Sequence, residues 1–236
     1  MRTRTGTGPA VAMTTVAVMA AAGVTTTPVA RAEESPTEER LVARADVDGD
    51  GRRDSVIQTT SWPVDGTRAH TTLTVKGSAG RTSSVRLGLE VHPEFDTPWV
   101  GVGIVDGKPG ADIAIDITDD EVERFRVFTW RSGRLVSLSP PESQRGHRTA
   151  VWRAMDGEQP GGYRFFTVRG VRHVERLVGS DVRDHPRREF RAVLTTYRWS
   201  KNTWVPVKTR RTTMPATEKA IRPWAPFTGT GMRLPW

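Results

Sequence analysis

Cysteine is absent from the 236-residue chain. That excludes disulfide staples, thiolate metal sites, a cysteine nucleophile and any lipid carried on cysteine, so stability must come from a packed core and whatever ion the chain binds. Dense histidine spacing is missing too: His70, His92, His147, His173 and His185 are dispersed, with no His-Glu-x-x-His pair among them. Neither a Gly-x-Ser-x-Gly elbow nor a phosphate-cradling glycine loop occurs, which removes the recognisable signatures of zinc hydrolases, serine hydrolases and nucleotide-binding enzymes. No convincing long amphipathic helix is found in the chain after Glu33. The nearest candidate, Asp119 to Arg126, mixes Val122 and Phe125 with charges and reads as a strand after a turn that Asp119 and Asp120 shape.

Long hydrophobic runs are also scarce. The one apolar, charge-free stretch, Pro9 to about Val24, is broken by Thr14, Thr15 and Gly23 and falls short of the roughly 20 residues a membrane span needs. Arg2 and Arg4 precede it and Ala30-Arg31-Ala32 follows it, the three-part pattern of a secretory signal peptide. Residues 1–32 are therefore expected to be removed and the protein to be secreted, with no membrane span. Glu33 to Arg40 is polar around Ser35-Pro36-Thr37 and reads as a linker. Lys and Arg number 35 against 27 Asp and Glu. Such a balance suits an anionic partner, but the arginines are scattered at alternating strand positions, as on solvated faces, so specific nucleic-acid binding is not expected.

What the chain has from Leu41 onward is short runs of Val, Ile, Thr and aromatics separated by Gly, Asp, Pro and Ser, the mark of strands joined by tight turns. Thr71 to Val75, Gly77-Ser78-Ala79-Gly80 and Ser84 to Leu87 form a hairpin pattern. Segments recur as well. Val47-Asp48-Gly49 returns as Val105-Asp106-Gly107 and more loosely as Met155-Asp156-Gly157, and Asp106 and Asp112 keep the spacing of Asp48 and Asp54. Phe128 to Val136 resembles Tyr197 to Val205, with Trp130 and Trp199 at matching points. Three units result, about 41–95, 96–145 and 146–214, at a period suited to propellers and arrays. The Pro/Trp-rich tail 215–236 shows neither strand nor helix period and reads as a strap or as disorder.

Chemistry concentrates in Asp46 to Asp54. Its four carboxylates stand at relative positions 1, 3, 5 and 9 with Gly49 and Gly51 between them, and so many like charges repel unless a cation sits among them. A hard cation with oxygen ligands, Ca²⁺ above all, suits such a cluster; the alternative is a solvated Asp/Gly turn without metal. An EF-hand counted from Asp46 is excluded because position 12 is Ile57. The pattern Asp-x-Asp-x-Asp-Gly-x-x-Asp followed by an apolar strand resembles the calcium loop of FG-GAP or VCBS repeats, the blades of integrin-α-type β-propellers. The Phe-Gly and Gly-Ala-Pro signatures of that repeat are not present. The resemblance implies side-chain ligands from Asp46, Asp48, Asp50 and Asp54, a main-chain ligand from the carbonyl of Arg52, and one structural calcium with a Kd on the order of 10⁻⁴ to 10⁻³ M. In the second copy Ile104 replaces the first ligand and Lys108 the third, so an ammonium is expected where the ion would be. The third keeps only Asp156 and Glu158 and reads as a turn.

The fold expected is all-β, a propeller-like array of about three four-stranded units, with a β-sandwich or small barrel built from the same hairpins as the alternative. Tryptophans are read as core, since two recur at equivalent points. The function expected is a secreted, non-catalytic, calcium-stabilised repeat protein, monomeric, that binds an extracellular protein or a cell-envelope glycan. An envelope-polymer hydrolase with a site assembled from distant loops is the alternative.

Overall fold

Strands form where β-branched and aromatic residues alternate with polar ones, and residues able to take positive φ end them. The computed structural model describes residues 37–62, 69–91, 98–118, 122–143, 150–156, 159–180 and 188–232. The chain is all-β, as expected, in three antiparallel sheets, none closed into a barrel. The first holds β1 (Thr37–Ala45), β2 (Asp54–Ser61), β3 (Ala69–Lys76) and β4 (Thr82–Val91) in that order. The second orders β5 (Trp99–Gly103), β6 (Asp112–Asp116), β7 (Val122–Arg131) and β8 (Arg134–Leu138), and β9 (Val151–Asp156) also pairs with β7. The third orders β10 (Gly161–Val168), β11 (Val171–Gly179), β12 (Glu189–Ser200) and β13 (Thr203–Pro215). Sequence neighbours are sheet neighbours in the first and third sheets, which are meanders; in the second, β5 to β8 form a meander and β9 departs from it by pairing with β7.

The recurring hairpins explain the recurring tryptophans. Ser132 and Gly133 (φ 50° and 81°) and Lys201 and Asn202 (φ 48° and 65°) both take the positive values of a type I′ turn. The strands therefore register Trp130 against Leu135 and Trp199 against Trp204. Trp130, Trp152, Trp204 and Trp224 are buried, and no tryptophan among the described residues is exposed.

Two apolar layers hold the sheets together. Val56, Leu73, Val75 and Leu87 of the first sheet pack with Ile113, Ile115, Phe128 and Trp130 of the second. On the opposite face of the second sheet, Ala114, Phe125, Val127 and Trp152 pack with Tyr163, Phe165, Val174 and Trp204 of the third. Because side chains alternate along a strand, the run Ile113-Ala114-Ile115 serves both layers at once, and the centre of β6, between Asp112 and Asp116, is apolar without interruption, as suits a strand covered on both faces.

Two boundaries and one architectural alternative differ from the sequence reading. β1 begins at Thr37, inside the stretch read as linker, because Thr37 to Arg40 extend the ladder opposite Gln58 to Ser61 while staying exposed. β9, expected in the third unit, pairs with Val122 to Arg126 of β7, alongside the segment that β8 occupies. No sheet forms the small barrel held as an alternative. The segment 1–32 read as a leader, Asp119 and Asp120, His92, His147, His185 and Trp236 lie outside the described residues.

The tail is folded, by tertiary contacts rather than by periodicity. Thr217 caps a short helix, α1 (Glu218–Ile221), accepting from the Ala220 N–H at 3.3 Å, and a turn of 3-10 helix (Arg222–Trp224) follows. Trp224 covers Leu177, Phe190 and Leu194 on the outer face of the third sheet. The chain then crosses the edge of β10, where Phe165 N–H donates to Thr228 C=O at 2.9 Å, and reaches Ile104, whose N–H donates to Thr230 C=O at 2.8 Å. Phe227 enters the layer between the second and third sheets, 5.3 Å from the ring of Phe125. Glycine is required at the crossing: a Cβ on Gly162 would lie 1.8 Å from Trp224 O. Phe227→Ala should cost about 3 to 5 kcal/mol by urea denaturation, and Gly162→Ala should make the tail cleavable by protease in the otherwise folded protein; a loss near zero for Phe227→Ala would mean that the tail does not complete this core.

Candidate metal centre

The Asp loop joins β1 to β2 and is closed at its base by the pairing of Ala45 with Asp54. Gly49 and Gly51, at φ of +80° and +83°, turn the chain back on itself. Asp46 accepts from the N–H groups of Gly49 (2.8 Å) and Gly51 (2.9 Å), Asp48 from Asp50 N–H (3.1 Å), and Asp50 from Arg52 N–H (2.7 Å). These bonds turn three carboxylates inward. One oxygen from each of Asp46, Asp48 and Asp50 lies within 4.8 Å of the others, a span that one cation with bonds of about 2.3 to 2.6 Å can bridge.

Asp54 is handled differently. It is buried, and its carboxylate accepts from the N–H groups of Val47 (2.8 Å), Asp48 (3.2 Å) and Ser78 (2.9 Å). The structure thus brings Asp46, Asp48 and Asp50 together and sets Asp54 beneath them as the anchor of the loop backbone. Ser78, from the β3–β4 turn, also donates its hydroxyl to Asp50 at 2.8 Å. Burial raises the Asp48 carboxyl, and the charges of Asp54, Asp50 and Asp46 push it the same way against the Asp50 N–H bond. The Ser78 hydroxyl, with the Arg52 N–H, lowers Asp50. An all-oxygen, anionic donor set under mutual repulsion suits a hard divalent cation.

The second loop repeats the scaffold without that donor set. Asp112 accepts from Val105 N–H (2.7 Å) and Asp106 N–H (3.2 Å), as Asp54 does from Val47 and Asp48, and Lys108 N–H donates to Asp106 at 2.9 Å as Asp50 N–H does to Asp48. The expectation that the Lys108 ammonium fills the ion's place is corrected: it reaches out to the Asn202 side chain. The cation at Asp106 is the guanidinium of Arg131, because the short β7–β8 hairpin returns that residue to the loop. Burial chiefly, then the charge of Asp106, raises Asp112 to about 6 although Thr129 and two N–H groups oppose it. The side chains of Asp156 and Glu158 lie outside the described residues.

The loops also pack in series. Ala111 N–H donates to Asp46 C=O at 2.7 Å, and a Cβ on Gly110 would lie 2.4 Å from Val47 O. Beyond the second loop, Arg172 of β11 donates to the carbonyls of Val105 (3.1 Å), Ile104 and Gly229 (2.9 Å). Burial lowers its pKa, against the charges of Asp112 and Asp106.

No family model, curated protein or solved structure matches the chain. Ser78, Arg131 and Arg172 are the residues that sequence reasoning missed. Each lies tens of positions from its partner, and only the matched spacing of the two loops hinted that something must balance Asp106.

Arg131→Met should cost about 3 kcal/mol by leaving Asp106 an uncompensated buried charge, and adding Asp106→Asn should recover most of the loss; a double variant no better than the single one would contradict the pairing. Asp112, raised from an ordinary value near 3.9, takes up a proton on folding, so its contribution to stability falls as pH rises from about 4 to about 6. Asp112→Asn lacks that slope and should be favoured relative to wild type by on the order of 2 kcal/mol more at about pH 7.5 than at about pH 4, read from paired urea melts.

Proposed function

We propose that this chain is a secreted, non-catalytic repeat protein of the FG-GAP or VCBS kind, in which one calcium ion stiffens the first of several equivalent loops and the sheets serve as a platform for extracellular binding or adhesion. The observation that carries this reading is the pair of loops at Asp46–Asp54 and Ile104–Asp112, which share the same carboxylate-to-backbone bonds while only the first gathers three acids within reach of one cation. The face-to-face succession of three antiparallel sheets, each with a four-stranded meander and the second with β9 added, supports reading them as propeller-like units in an open array, with the third capped by the tail. Calcium would be held by Asp46, Asp48 and Asp50, with the Arg52 carbonyl and Asp54 completing the set. It would relieve the repulsion among those carboxylates; the protein's own residues fold the loop, anchor it on Asp54 and clamp it through Ser78.

Thermal melts with and without calcium test the proposal. At about 10 mM calcium, a Kd near 0.5 mM gives about 2 kcal/mol of stabilisation, a rise of about 4 to 6 °C for a domain of this size. Asp48→Asn/Asp50→Asn should abolish the rise; no rise in the wild type refutes the calcium assignment. Recovery of the protein from the culture medium with Glu33 at its N-terminus is the expected result for secretion.

A further inference from the structure

The positive charge is not spread evenly. Gly161–Pro215 contains thirteen Arg and Lys against four Asp and Glu, a net +9, whereas the whole chain carries +8. The third sheet is therefore a cationic unit on an otherwise nearly neutral body. Its two described acids do little to offset this: Glu175 is buried between Arg164 (2.9 Å) and Arg210 (3.8 Å), and Glu189 is half-buried at the start of β12.

The same sheet ends in an open edge. β13, the longest strand at 13 residues, pairs only with β12 among the described residues, whereas the opposite edge at β10 is taken by the tail at Thr228. Val207, Lys208, Thr209, Arg210 and Arg211 are all exposed in succession. Pro206 and Pro215 bound this stretch and remove a donor at each end. Register puts Lys208 and Arg210, opposite Thr196 and Leu194, on one side of the ribbon and Arg211, opposite Val193, on the other. A chain laid along the edge would thus meet cations on both its faces.

The geometry points to the outer edge of β13, between Pro206 and Pro215, as the docking site for an extended acidic peptide segment of a partner protein, added to the third sheet as a further strand. Unpaired edge N–H and C=O groups need a partner with the same backbone repeat, and alternating carboxylates would meet Lys208 and Arg210 on one side and Arg211 on the other. A second copy of this chain is disfavoured, since β13 against β13 would juxtapose like charges. The inference rests on the binding role proposed above by naming the partner's chemistry, and it is independent of calcium.

Fluorescence anisotropy of the full chain with a labelled peptide of alternating glutamate and threonine tests it. Lys208→Glu/Arg211→Glu should weaken binding about tenfold or more, while Arg81→Glu/Arg86→Glu, an equal change of charge at exposed positions of the β3–β4 turn and β4, should leave it within about twofold. A peptide of the same charge with proline in place of each threonine should bind about tenfold or more weakly, because it cannot pair with a strand. Equal loss in both variants, equal binding of the proline peptide, displacement by inorganic polyphosphate at matched charge, or no binding of the glutamate–threonine peptide would overturn the inference. None of these outcomes alters the calcium melts, so its failure is distinguishable from failure of the calcium-stabilised reading.

Discussion

A buried carboxylate at the base of a glycine-bearing loop is the constraint on which the rest of this structure depends. Asp54 and Asp112 each accept from two N–H groups of their own loop, and Asp54 from Ser78 N–H as well, and an unsatisfied buried donor would cost about 1 to 3 kcal/mol apiece. With those groups paired, the loop can be held against its neighbours instead of standing in solvent. That permits Ala111 to bond Asp46 and Arg172 to bond the carbonyls of the second loop. Connections between strands thereby become connections between sheets, a job that apolar layers alone do with little directional preference.

One scaffold appears with two different answers to the same electrostatic problem. Around Asp106 the chain supplies its own cation, Arg131, tethered by a hairpin two residues long at its tip. Around Asp48 lies a crowd of carboxylates, and what offsets it acts on neighbouring Asp50: the Ser78 hydroxyl, the Arg52 N–H and, more weakly, the Arg52 charge. A tethered guanidinium is always at hand. The first loop instead gathers three carboxylates close enough to hold one cation among them.

Fold class was legible because the code for it is local. Alternation of Val, Ile and Thr, the Ser132-Gly133 and Lys201-Asn202 turns and the repeated Trp130 and Trp199 all act within a few residues of themselves. The three sheets, and the tryptophans as core, could accordingly be anticipated. Where reading failed, the deciding partner lay far away: Thr37 to Arg40 lack any apolar pattern yet are drawn into β1 by the β2 edge, and β9 is claimed by β7 rather than by its sequence neighbour. The site divided in the same manner. Asp46, Asp48 and Asp50 were visible as a cluster because they are three residues of one turn, while Ser78 and Arg131 could not be assigned to it from spacing alone. Lys108 misled because its position in the repeat suggested a role that its length and the nearness of Asn202 overrode.

The path of the tail has a bearing on how the molecule comes into being. Phe227 fills space between two sheets whose strands all precede it in the chain, so during synthesis those sheets are complete before the piece that seals them exists. Until it emerges, Phe125, Phe165 and Trp152 share an unsealed seam, with the exposure to wrong partners that such a seam brings to a nascent chain. The first two sheets, whose shared layer contains nothing from the tail, have no such dependence and can settle early. The seam between the second and third sheets is thus one that only the end of the chain can close.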